Sequence, residues 1–388
     1  MCRIKCGTDC FCVVSPPLVA TIGGKFVTLR EKVDEYGSIN KAAAAMGIPR
    51  STLQGRLKRE ESNDPTDIVP EGYRVKGTSV LYDADGKVRL SWVKTQVDPE
   101  AMTSMMDTMR AEFAATITPS IPVMYEPDDT ESELLTTYIL TDYHLGMLAW
   151  HEETGADWDI KIAEEGLIRY FTRAAMLSPN SEVAVLANIG DSLHFDGMLP
   201  VTPASKHVLD ADTRFQKLVR VTIRALRHAV SILLDKHKHV HIIMGQGNHD
   251  EASSAWLREC FAEFYADEPR VTVDTRPDPY YCYEHGLTSL FFHHGHRKRI
   301  GSIDAVFASK FREVFGRTKY SYGHMGHLHH SEVKETSLMV LEQHRTLAAP
   351  DAYAASGGWL SGRSACAITY SKDYGELSRV TIPWEMLK

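Results

Sequence analysis

Between Gly245 and Asp250 the chain reads GQGNHD, an amide, an imidazole and a carboxyl in a row behind two glycines. Similar knots recur: TDYHLG with Asp142 and His144, GDSLHFDG with Asp191 and His194, HHGH with His294, and GHMGHLHH with His327 and His329. Carboxylate, imidazole and amide oxygen together suit Mn²⁺, Fe, Zn²⁺ or Mg²⁺. Asp142, His144, Asp191, Asn248, His294, His327 and His329 are too many ligands for one small ion and enough for two. Two ions need a shared ligand, which a carboxylate with two oxygens supplies best. Glycines beside the ligands let the backbone turn sharply behind them.

Something must carry these knots to one place. The apolar runs LLTTYIL, VAVLANI and HVHIIMG lead straight into TDYHLG, GDSLHFDG and QGNHD, and LTSLFF leads into HHGH. Each reads as a buried strand. Between them lie amphipathic helices, IKIAEEGLIRYFTRAAML and TRFQKLVRVTIRALRHAVSILLDK. In an α/β fold the ligand site lies beyond the carboxyl ends of the strands. Residues far apart in sequence can therefore converge there.

D-x-H, G-D-x-x-H, G-N-H-D, H-G-H and G-H-x-H occur in that order over roughly residues 135 to 330. In this the chain resembles the calcineurin-like metallophosphoesterases. The resemblance implies a four-layer αββα sandwich and two-metal hydrolysis of phosphate esters, with Mn²⁺ the first expectation. It also implies roles. Asp142, His144 and His329 would hold one ion, Asn248, His294 and His327 the other, and Asp191 would bridge them. His249 would be the general acid and Asp250 would orient its imidazole. Two details, the Leu-Gly after His144 and His194 at the end of GDSLH, resemble SbcD-type DNA repair nucleases, where the matching histidine is a candidate for contacting the substrate phosphate. Only about 60 residues follow the last motif, so that family's DNA-gripping cap and docking region are not expected. His293, His296, His324 and His330 neighbour the ligands and read as supporting groups. His237, His239 and His241 read as the junction of a helix and a strand.

The front of the chain is different. LREKVDEYGSINKAAAAMGIPRSTLQGRLKR reads as a helix ending at Gly37, a second capped by Ser38 or Asn40, a tight turn at Gly47 and a third from Pro49. Leu53 and Leu57 face inward one turn apart, and Ala43 allows close approach. The pattern resembles a Fis-type helix-turn-helix. Arg50, Ser51, Thr52, Gln54, Arg56, Lys58 and Arg59 would lie on the DNA-facing side. Such a module ahead of a phosphoesterase also looks like an arrangement found in phage and prophage genes. The next segment, YRVKGTSVLYDADGKVRLSWVKT, reads as a hairpin turning at DADG. DPEAMTSMMDTMRAEFAATI reads as a helix whose methionines form a packing face. Proline-bearing linkers suggest an extension at 1–23, a DNA-binding module at 24–62, a connector at 63–132 and the phosphoesterase domain at 133–388.

Composition sets the outer bounds. The chain has 388 residues and a net charge of −8. Residues 1–62 carry +4 and the remainder −12. The basic surplus thus lies in the small front module, where DNA is the expected partner. A phosphate ester is the expected substrate of the back domain. No apolar run is long enough for a membrane span and no signal-peptide pattern opens the chain, so a cytoplasmic protein is expected. Seven cysteines, four of them at Cys2, Cys6, Cys10 and Cys12, are not a disulfide framework. The spacing of that cluster matches no common zinc module, and a loose extension is the plainer reading. Three functions follow in order: a metal-dependent DNA nuclease, a phosphatase or small-molecule phosphodiesterase, and a DNA-binding regulator with an inactive phosphoesterase domain.

Overall fold

The computed structural model describes residues 33–46, 50, 53, 57, 73–82, 88–97, 122, 125–203 and 205–388. The chain divides into two compact units, Met1–Glu112 and Phe113–Lys388.

In the first unit, residues 33–35 are helical and helix α1 spans Ile39–Ala45. Ser38 caps α1, its hydroxyl accepting from Lys41 N at 3.3 Å. This fills one of the orphan donors of a helix start. Val33, Ala42, Ala43, Leu53 and Leu57 make a small buried core. Arg50 is helical and exposed. Ser51, Thr52, Gln54, Arg56, Lys58 and Arg59 lie outside the described residues, as do the cysteine cluster, the DADG turn and the methionine-rich segment. Strands β1 (Tyr73–Tyr82) and β2 (Val88–Val97) pair antiparallel with Ser79 opposite Trp92.

The second unit is a four-layer sandwich. β3 (Glu131–Leu140), β4 (Ser181–Asn188), β5 (His239–Met244) and β6 (Val271–Val273) run parallel in one sheet. β12 (Ser364–Ser371) and β13 (Gly375–Pro383) complete it antiparallel, giving the order β13-β12-β3-β4-β5-β6. The second sheet has the order β10-β11-β9-β8-β7, from β7 (Tyr281–His285), β8 (Thr288–Phe292), β9 (Tyr320–Met325), β10 (Glu332–Glu335) and β11 (Val340–Gln343).

Between the sheets Leu135, Ile139, Val185, Ala187 and Ile243 pack against Tyr281, Leu290 and Phe292. Phe291, one residue out of phase with its neighbours, points the other way into a cluster with Ile303 and Phe307. That period of two explains why TSLFF is buried throughout: both faces of β8 are covered. The covering helices on that side are α6 (Asp304–Lys310) and α7 (Arg312–Arg317). The other sheet is covered by α3 (Ile160–Leu177), α4 (Phe215–Leu234) and α5 (Glu251–Phe264). A short helix, α2 (His151–Thr154), precedes α3, and α8 (Ala352–Gly357) precedes β12.

The residues after the last motif form no cap. They supply β10 and β11 to one sheet and β12 and β13 to the other, with β12 paired directly beside β3. Among the described residues no helix is long and apolar enough to cross a membrane.

Candidate metal centre

Strands β3, β4, β5, β8 and β9 end just before the knots of polar residues. The loops are tightly wound there. Six non-glycine residues among those described have a positive φ, and five of them are Asp142 (51°), His144 (48°), Asp191 (52°), His327 (76°) and His329 (57°). Left-handed backbone at a side-chain-bearing residue costs on the order of 1 kcal/mol each and is retained where the surroundings impose it. Here it turns each side chain back over the strand end.

The structure brings the seven side chains together in two adjoining groups. In the first, the ligand atoms of Asp142, His144 and His329 lie within 4.8 Å of one another. His329 Nε2 is 3.2 Å from Asp142 Oδ1 and 3.4 Å from His144 Nε2. In the second, Asp191, His294 and His327 are grouped in the same way. His294 Nε2 is 3.0 Å from Asp191 Oδ2 and 3.2 Å from Asn248 Oδ1. The two groups touch, because His294 Nε2 is also 3.8 Å from Asp142 Oδ1.

Each carboxylate is fixed through one oxygen and turns the other toward the imidazoles. Asp142 Oδ2 accepts from the Thr141 hydroxyl at 2.6 Å and from His327 N at 2.8 Å. Its Oδ1 is buried and makes no hydrogen bond. Asp191 Oδ1 accepts from His249 N at 2.7 Å, leaving Oδ2 toward His294. Oδ2 is thus the oxygen of Asp191 that faces the cluster. A buried carboxylate oxygen without a partner is costly. Asp142 Oδ1 is such an oxygen, and with Asp191 Oδ2, four imidazoles and an amide oxygen it forms a donor set that fits divalent cations.

The electrostatics agree. Burial alone would raise Asp142 and Asp191, yet the neighbouring imidazoles, His294 first, hold both below the usual carboxylate range. Burial disfavours charge on His294, but Asp191 and Asp142 outweigh it and raise that imidazole to about 9. The centre draws positive charge.

Glycine is required at two points. A Cβ on Gly247 would overlap Asp191 Oδ1, and one on Gly326 would overlap the Thr141 hydroxyl and Asp142 Oδ2.

Asp250 does not orient His249. Its Oδ1 accepts from Asp191 N at 3.1 Å and Gly247 N at 3.0 Å, and its Oδ2 from Ser192 N at 2.8 Å and Leu193 N at 3.2 Å. Burial, with the charge of Asp191, pushes its carboxyl up to about 7, while the backbone donors act the other way. Four N–H groups converging on two oxygens are met in full only by the anion, so the hydrogen-bond geometry decides for the carboxylate. Asp250 thus braces the turn that carries Asp191. The imidazole of His249 is held instead by His194 O, 2.8 Å from its Nδ1. A carbonyl only accepts, so Nδ1 carries the proton in that bond and Nε2 is left for chemistry.

His194 is 2% exposed and stacks on His249 with centroids 5.6 Å apart. Its Nδ1 lies 3.3 Å from His144 Nδ1, on the side of that ring away from His329. Burial lowers His194 to about 3, so it is neutral. It props two neighbouring rings, and its burial argues against direct contact with a substrate phosphate.

Thr141 and Thr346 were not legible in the sequence. Thr346 donates its hydroxyl to Asp142 O at 2.6 Å. Of the other histidines, His293 is fully buried and stacks on Tyr280 at 4.4 Å, and His296 stacks on His293. His330 is exposed and meets Gln343. His237 lies between α4 and β5, bonded to Tyr138 and Ser181. His324 belongs to a buried network between the sheets. Its Nδ1 lies 2.9 Å from His344 Nε2, and Tyr370 OH lies 3.0 Å from its Nε2.

Residues 36–63 match the family model of the helix-turn-helix, Psq domain. No curated protein matches the chain. Among solved structures, a conserved uncharacterized protein from Streptococcus pneumoniae, described as a predicted phosphoesterase, aligns at 12% identity. It covers 66% of this chain and 99% of its own, with a TM-score of 0.26. Wild-type Vps29 from Entamoeba histolytica, solved with zinc, aligns at 11% identity over 65% of this chain and 99% of its own, with a TM-score of 0.29. Vacuolar protein sorting 29 from Cryptosporidium parvum aligns at 14% identity over 38% and 83%, with a TM-score of 0.22. At these scores the likeness carries no activity to this chain, whose chemistry rests on its own ligand geometry.

Proposed function

We propose that the chain is a dinuclear-metal phosphoesterase that cleaves phosphodiesters, and that its substrate is DNA brought to it by the front module. The observation that carries this is the pair of carboxylates, Asp142 and Asp191, each pinned through one oxygen and turning the other, unpaired on Asp142 and against His294 on Asp191, into one shell of four imidazoles and an amide. Asp142, His144 and His329 would hold one cation, Asn248, His294 and His327 the other, and Asp191 would be shared. Divalent cations, with Mn²⁺ the first choice, supply Lewis acidity, charge neutralisation and an activated water at such a site. The chain's own residues do the rest. Thr141 holds the Asp142 carboxylate, Asp250 braces the turn that carries Asp191, His194 props His144 and His249, and His249 Nε2 gives a proton to the leaving oxygen.

The DNA assignment rests on the Psq-domain match and on the basic excess of residues 1–62. One observation favours a second reading, a phosphatase or small-molecule diesterase: the −12 charge of the remainder repels a polyanion. The test is incubation of the Mn²⁺-loaded protein with linear duplex DNA, single-stranded DNA, bis(4-nitrophenyl) phosphate and 4-nitrophenyl phosphate, beside a His249→Ala control. Loss of DNA and diester cleavage in the control supports the proposal. Turnover of the monoester alone refutes it.

A further inference from the structure

The segment between Ala348 and Gly362 is anchored at both ends beside the Asp142 loop. At its start, Thr346 holds Asp142 O by its hydroxyl at 2.6 Å. At its finish, Ser364 N donates to Thr346 O at 3.0 Å and Arg363 Nε to Leu347 O at 2.9 Å. Within the segment sits α8, a short helix fastened at both ends. Asp351 caps its start by accepting from Ala354 N at 2.7 Å. Gly358, at φ 71°, ends it, and Trp359 N donates back to Ala354 O at 3.0 Å.

This brace presents two large aromatic rings to solvent. Tyr353 is 72% and Trp359 57% exposed, with ring centroids 5.0 Å apart. α8 packs against α2, and Trp150, the residue before α2 and six residues beyond His144, is 54% exposed. Single exposed apolar residues are ordinary, but three aromatics on two touching elements are not. Capping and backbone bonds fix the rings, which pack edge to face, without burying them.

A cation at the far end of the same segment narrows the occupant. Arg345 precedes Thr346, is exposed, and has no ion pair among the described residues. Its guanidinium lies over Gly362, where a Cβ would stand 3.1 Å from Nη1. Glu152 and Glu153 on α2 would repel a phosphate from the Trp150 side. A ligand with flat faces and a phosphate toward Arg345 satisfies both features.

Resting on the phosphodiester reading above, we infer that Tyr353 and Trp359, with Arg345, form a platform, on the segment anchored to the Asp142 loop, on which unpaired nucleobases of the substrate stack. A base stacked inside a duplex shows no free π-face, so the platform selects single-stranded or splayed nucleic acid over intact duplex.

The test is fluorescence anisotropy of a short labelled oligothymidylate with the full-length protein. It is read in a background of Arg56→Ala and Lys58→Ala, so that the front module does not carry the signal. Tyr353→Ala with Trp359→Ala should weaken single-strand binding about tenfold or more. The ring-conserving pair Tyr353→Phe and Trp359→Phe should retain it. Bis(4-nitrophenyl) phosphate turnover should be unchanged in both, which shows an intact centre. Equal single-strand binding by the alanine pair overturns the platform. So does sedimentation showing that the alanine pair merely dissolves a dimer while nucleic-acid binding persists. Failure of the metal-loaded parent to cleave any diester overturns the phosphodiester reading instead, and the anisotropy remains a separate measure of stacking.

Discussion

Replacing Asp250 by asparagine separates two ideas about the centre. The side chain keeps its size, but one oxygen becomes an NH₂ donor. Oδ1 and Oδ2 each accept two backbone N–H groups, from Asp191 and Gly247 and from Ser192 and Leu193. Whichever way the amide turns, two buried N–H groups then face a donor. A buried polar group left unpaired costs about 1–3 kcal/mol, so the variant should lose about 2–6 kcal/mol of stability. The loosened turn carries Asp191, so metal affinity should fall about 10–100-fold, as it does when support of a ligand is removed. Urea unfolding and metal titration by calorimetry read the two quantities. A variant with stability within about 0.5 kcal/mol of the parent and unchanged metal affinity, yet with a slower, pH-shifted hydrolysis, would refute this account. It would return Asp250 to the imidazole-orienting role expected from the motif alone.

Gly247→Ala adds a Cβ that overlaps Asp191 Oδ1. Bound metal should drop below two ions per chain by elemental analysis, and a variant holding the full complement would show that this turn can yield. Glu342 supplies a pH test away from the centre. Burial would raise its carboxyl, but His344 and Arg379 outweigh burial and bring it down to about 2, below an unfolded value of about 4.3. Its contribution is therefore present above about pH 4.3 and is lost as pH falls toward 2, an effect on the order of 3 kcal/mol. Glu342→Gln should unfold at lower temperature than the parent at pH 6, and the gap should narrow by pH 3. A gap that stays constant would mean the ion pair with Arg379 is not what holds this group.

The second unit was legible where one physical rule dominated. Four apolar runs, each ending in polar knots, gave the parallel strands and the side on which side chains would gather. IKIAEEGLIRYFTRAAML is helical from Ile160 to Leu177 because its apolar positions repeat at helical spacing and Asp159 caps it. In the front module, Ser38, Leu53 and Leu57 announced a cap and an inner face in the same way. The short edge strands and the closing residues carried no such signal. β10 is exposed along its whole length, and nothing in SACAITYS says that it pairs beside β3 rather than extending past it.

Sequence by itself determined which kinds of donor reach the strand ends, because side-chain type and its place after an apolar run are local properties. Tertiary structure alone decided how each donor is used. Asp250 stands next to His249 in the chain, yet its oxygens turn to four backbone N–H groups brought by Gly247 and by the Asp191 turn. Asp142 keeps Oδ1 bare because Thr141 and the distant His327 N both take Oδ2. Thr346, some 200 residues away, fixes the same loop from behind. Hydrogen bonds are allotted by distance and angle in the folded chain, and no spacing of residue types records that.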